Sequence, residues 1–136
     1  SAYSAFSNIT IDYYKNIKCK LDKQILKNEI YNYTEFTADQ IKENKDKKIK
    51  IRASKSKELK ITGLSDFFTN IPIGAIYDTQ ILKDNTILLR ILTKDEKYSE
   101  SVFINKLTGE MLHEITSDIN TQNQGKEISF FTCDMS

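Results

Sequence analysis

The chain has no tryptophan, one histidine, one proline, two cysteines and four glycines among its 136 residues. A single histidine and two cysteines cannot assemble the Cys/His ligand sets of zinc sites, so no metal centre of that kind is expected. Gly63, Gly74, Gly109 and Gly125 stand alone, which excludes a glycine-rich phosphate loop. No apolar run approaches the roughly 18 residues of a membrane-crossing helix, so no membrane span is expected. Any Ser-His-Asp or Cys-His nucleophile would have to use His113, which alternates with Leu112 and Glu114 and shares a strand face with Met111 and Ile115. A lone histidine in such a pattern is more often packed than catalytic. The carboxylate pair Asp95-Glu96 falls in a turn-like stretch, where solvation is the simpler role. No catalytic residue, no enzymatic activity and no cofactor are therefore expected.

What is present describes a globular object. Twenty Lys+Arg against nineteen Asp+Glu leave a formal charge of +1, which disfavours a wholesale polyanion binder, and no nucleic-acid partner is expected. With 39% hydrophobic and 29% charged residues the composition is that of one ordinary domain, residues 1–136.

Period-2 patterns recur about every ten residues, the signature of an all-β meander, barrel or sandwich. Ile17, Cys19 and Leu21 alternate with Lys18, Lys20 and Asp22. Ile30 to Phe36 is rich in Tyr and Thr and reads as a second strand, with Tyr31 and Tyr33 on one face. Ile49, Ile51 and Ala53 alternate with Lys50 and Arg52, and Leu59 and Ile61 flank Lys60. Further strands are expected over 73–82, 86–92, 98–104, 110–115 and 128–133. Their connections, Lys83-Asp84-Asn85, 93–97 and 105–109, are too short for parallel crossovers and join antiparallel neighbours. The fold expected is mainly β: a single antiparallel barrel or strongly curved sheet of about eight strands with one or two short helices. For the helices, Thr37-Ala38-Asp39-Gln40 resembles a capping box, so Ala38 to Lys47 reads either as a short charged helix or as a long solvated loop. Tyr3, Phe6, Ile9 and Tyr13 have roughly helical spacing.

Charge is uneven along the chain. Between Lys42 and Lys60 nine basic residues face three acidic ones, whereas 93–136 holds four lysines against eight acidic residues. A basic side and an acidic side are expected. Lys48, Lys50 and Arg52 head the candidate binding residues, because such a run steers an acidic partner or else blunts an exposed strand. Tyr31 and Tyr33 form a second candidate surface, since Tyr combines rigid area with a polar tip.

Cys19 and Cys133 lie near opposite ends of the chain. Either they form a bridge, in which case the compartment is oxidising, or they are two buried thiols. Their strand-like flanks favour pairing.

The run Val102-Phe103-Ile104-Asn105-Lys106-Leu107-Thr108-Gly109-Glu110-Met111 resembles a hairpin phrase of small exported one-domain β proteins of Gram-negative bacteria. Those proteins also tend to carry one cysteine in an early strand and another near the C-terminus. The resemblance implies location and shape, not chemistry. Ile73-Gly74-Ala75-Ile76-Tyr77 is similar to the Ser-Gly-x-x-Tyr loop of periplasmic C-type lysozyme inhibitors, but lacks its serine. The functional expectation is a non-enzymatic, periplasmic or secreted binding protein of the bacterial envelope, inhibitor-like or immunity-like, acting on a protein partner. The alternative is a small-ligand carrier with a lipocalin-like interior.

Overall fold

The computed structural model describes residues 12–136. The helical spacing of Tyr3, Phe6 and Ile9 lies outside them, and Tyr13 opens a strand rather than continuing a helix. The elements are β1 (Tyr13–Lys27), β2 (Thr34–Thr37), β3 (Lys47–Ser54), β4 (Lys57–Thr62), a one-turn helix α1 (Asp66–Thr69), β5 (Ile76–Leu82), β6 (Thr86–Leu92), β7 (Tyr98–Asn105), β8 (Glu110–Ser117) and β9 (Gly125–Asp134). Every strand pairing is antiparallel, in the order β4-β3-β1-β9-β8-β7-β6-β5. The eight strands curl into a nearly closed barrel, and β2 adds to β1 off this path.

The long β1 organises the barrel. One edge pairs with β9 from Lys18 to Lys27. The other edge is shared, with β3 along 13–19 and β2 along 23–26. Between those partners the Leu21 amide donates to Asp46 Oδ1 at 3.1 Å instead of to a strand. A bulge between Leu21 and Lys23 shifts the alternation, so that Ile17, Cys19 and Leu21 point inward below it and Gln24 above it.

The inward side chains fill the lumen. Ile49, Ile51, Leu59, Ile61, Leu89, Ile91 and Ile104 are all essentially inaccessible, and Phe131 and Met111 complete the layer against β1. Burying one such side chain is worth roughly 1.5–3 kcal/mol, so the apolar stack is the main stabilising element. At the lower mouth, Asn105 Oδ1 accepts the amides of Leu107 and Thr108, and Gly109 turns the chain with φ +78°. A Cβ on Gly109 would lie 2.2 Å from the Cys133 carbonyl oxygen, so this turn of the hairpin phrase needs glycine on two counts. At the upper mouth, Ser65 Oγ accepts the Phe68 amide, and α1 thereby carries the fully buried Phe68 into the barrel end.

The choice left open at Ala38–Lys47 resolves toward the loop. Thr37 and Gln40 make the capping box, but it supports only a 3₁₀ turn, Ala38–Gln40. The Lys- and Asn-rich residues that follow offer no apolar stripe to bury, and a helix without one is marginal.

Candidate functional site

The outward side chains of β1, β3 and β4 form a basic face. Lys18 stands directly opposite Lys48, Asn16 opposite Lys50, and Tyr14 opposite Arg52, which in turn faces Lys60 on β4. All of these residues are exposed, Tyr14 to 63%. Sheet geometry sets the cations on a grid of roughly 5 by 7 Å. Among the described residues, none of Lys18, Lys48, Lys50, Arg52 and Lys60 forms an ion pair. Like charges placed directly across a strand pair are destabilising, so this face carries a stability cost that an external anion would relieve.

The face runs into a groove of about 570 Å³ at the fork where β3 leaves β1. Lys18, Lys20, Lys47 and Lys48 line it, together with the carboxylates Asp46 and Asp134. Hydrogen bonds from Ser136 hold the Asp134 carboxyl below the usual carboxylate range, with Lys15 and Lys18 adding to the effect. The groove also reaches the disulfide that joins Cys19 to Cys133, which face each other in the β1–β9 register. That bond is compatible with an oxidising compartment.

The sequence candidates separate on this map. Lys48, Lys50 and Arg52 come together as successive outward residues of β3. Tyr31 and Tyr33 do not share a strand face: β2 begins only at Thr34, and both tyrosines lie in the β1–β2 connection. Asn28 Oδ1 accepts the amides of Ile30 and Tyr31, and Tyr33 adopts φ +53°, so an Asx-type turn overrides the strand propensity of these residues. Tyr33 lies beneath Lys27 at the far end of β1, on the order of 30 Å from the Lys18–Lys48 pair. Several acidic residues of the expected acidic side sit in different settings. Glu100 is inside the barrel, Glu114 pairs with Lys126, and Asp95 and Glu96 occupy a turn tip.

Lys18 and Lys20 join the basic face without having been singled out, although their alternation with Ile17, Cys19 and Leu21 already turned them outward. Pairing of the first long strand with the third was the missing step. Tyr77, the tyrosine of the inhibitor-like loop, is half-buried and tied to β4: its hydroxyl donates to Glu58 Oε1 at 3.0 Å.

The upper half of the lumen holds a buried polar cluster. His113 Nε2 lies 2.6 Å from Glu100 Oε1, and the Tyr98 hydroxyl donates to Glu100 Oε2 at 2.8 Å. Burial, and then the hydrogen bond to Glu100 and its charge, raise the Tyr98 phenol above its ordinary value, which keeps it a donor. Gln24 Nε2 donates to Ser129 Oγ at 2.8 Å on the neighbouring strands. Among the described residues no cluster of three or more His, Cys, Asp or Glu is placed to hold a metal, and no helix is long and apolar enough to cross a membrane.

No protein-family model, curated protein or solved structure matches the chain.

Proposed function

We propose that the chain is a non-enzymatic exported binding protein that docks through the outer face of β1, β3 and β4 onto an acidic surface of a protein partner. The observation that carries this reading is the unpaired set of cations on that face, with Lys18 opposite Lys48 and Arg52 opposite Lys60. Tyr14, exposed among them, offers a rigid contact of the kind enriched at interface centres. A folded partner suits the face better than a continuous polyanion, because Asp46 and Asp134 interrupt the positive potential at the groove. Among the described residues the lumen offers no competing site of carrier size, being packed with Ile, Leu and Phe side chains where a drug-sized ligand takes roughly 300 Å³ or more. The disulfide supports placing the protein in the periplasm or outside the cell.

The test is a pull-down from native envelope extract with the wild-type chain beside a Lys48→Glu/Arg52→Glu variant. A stoichiometric protein should be retained at low salt, lost by the variant, and lost near 1 M salt, where the screening length falls to about 3 Å. Absence of any partner across conditions, or a partner indifferent to both changes, overturns the proposal.

A further inference from the structure

The His113 imidazole has one nitrogen engaged and one free. Against an ionised Glu100, which only accepts hydrogen bonds, the nitrogen beside it, Nε2, is the one that carries a hydrogen. A second proton enters at Nδ1. Among the described residues that atom has no hydrogen-bond partner, and His113 keeps 6% of its surface exposed. His113 forms part of the wall of a pocket of about 180 Å³ at the upper mouth.

Cations and hydrogen-bond donors line that pocket alongside one carboxylate, Glu127. Ser129, directly across from His113 in the β8–β9 register, already accepts from Gln24, so its hydroxyl hydrogen is left to donate. Among the described residues Lys47, which lines the pocket, has no ion-pair partner, while Lys45 lies 4.0 Å from Glu43. Leu64 and Ile115 supply an apolar wall. The charged and titratable groups that bear on the ring are Glu100 and Tyr98 from β7, Glu127 from β9, Lys45 from the loop before β3 and Lys47 at the start of β3; α1 contributes the Phe68 ring, 5.9 Å away.

We propose that this pocket binds a small organic carboxylate together with one proton. One ligand oxygen accepts from Nδ1–H of the His113 imidazolium and the other from the Ser129 hydroxyl, with Lys47 favouring the anion from the rim. The short alkyl part rests against Leu64 and Ile115. The proton comes from solvent, so neutral protein, proton and carboxylate together give the complex, and Glu100 holds the charged ring in place from behind. The pocket volume limits the ligand to a few carbons. Lys47 also lines the groove beside the basic outer face, so the two sites share that lysine, while His113 and Ser129 line this pocket and not the groove.

The chain has a single histidine, so every imidazole signal in nuclear magnetic resonance belongs to His113. The histidine-labelled protein is titrated with acetate, propionate and butyrate, and with chloride and inorganic phosphate at matched ionic strength. The expected result is a saturable shift of the His113 signals by the carboxylates, with Nδ1 protonated in the complex. Affinity should fall roughly tenfold per pH unit once the free ring is neutral, because binding then has to draw in the proton. Lys47→Met, which leaves the lumen untouched, should weaken binding about threefold. A response no larger than that to chloride, saturation by phosphate in place of the carboxylates, or an affinity equal in both states of the ring overturns the proposal.

Discussion

The side chain of Gln80 accepts the backbone amide of Leu59 at 3.1 Å, bridging the seam between β5 and β4 where no strand ladder closes the barrel. Both partners are fully buried, and Gln80 Nε2 is left without a hydrogen-bond partner. Tyr77 and Glu58 make a second bridge across the same seam nearer the surface. Gln80→Ala leaves the Leu59 amide unpaired and opens a void, so a loss of about 2–4 kcal/mol is expected. Urea unfolding measures the loss, and faster hydrogen exchange at Leu59 should place it at the seam.

Removing one charge of the basic face should stabilise the fold. Lys48 faces Lys18 across β1 and β3, and relief of one like-charge pair is worth roughly 0.2–1 kcal/mol. Lys48→Gln is therefore expected to raise the unfolding midpoint slightly, more at low ionic strength than at high. If the proposed docking onto an acidic partner holds, the same variant binds that partner more weakly. A Lys48→Gln protein that is less stable at low salt contradicts the account of this face.

Cys19 and Cys133 close a loop with a sequence separation of 114. Reducing the bond, or replacing both cysteines by alanine, should cost roughly 2–5 kcal/mol, seen as a shift of the denaturation curve between oxidised and reduced protein. Alkylation of protein taken from its native compartment supplies the companion measurement. Two free thiols there would remove the support for an exported location.

Alkaline conditions should weaken the barrel through Tyr77 and Tyr98. In both, burial is the first cause and a neighbouring glutamate the second that raise the phenol above its ordinary value of 10.0. The folded chain thus holds these protons more tightly than the unfolded chain. The stabilisation is complete below about pH 10 and is withdrawn as the pH climbs beyond it. Tyr77→Phe and Tyr98→Phe should each flatten the decline in unfolding midpoint between about pH 10 and pH 12, with phenolate absorbance reporting the ionisation.

The second half of the barrel was legible because its connections are short and its turns carry their own chemistry. Asn105 and Gly109 specify one hairpin, and Thr93 with Asp95 holds another through hydrogen bonds to each other and to the residues that follow. The first half was harder. The bulge after Leu21 changes which residues face inward, so one strand of fifteen residues reads as a short one. The tyrosines of 31–33 have strand propensity, yet Asn28 ties up the local amides first. Helix α1 is a single turn held by Ser65 and Phe68, below the length at which helical periodicity registers. The Glu100–His113 pair was within reach: Glu100 has the parity of the buried Val102 and Ile104, His113 that of Met111, and the hairpin turn fixes their register. Reading each strand alone hid it. The basic face was half visible, since no local pattern says that β1 and β3 are neighbours with β2 lying between them in sequence.

The pairing of β1 with β9 has a temporal consequence. One long edge of the first strand stays without its native neighbour until residues 125–134 have been made. Contacts that span nearly the whole chain are formed late and slowly. Closure of the barrel therefore waits until β9 is available to pair with β1.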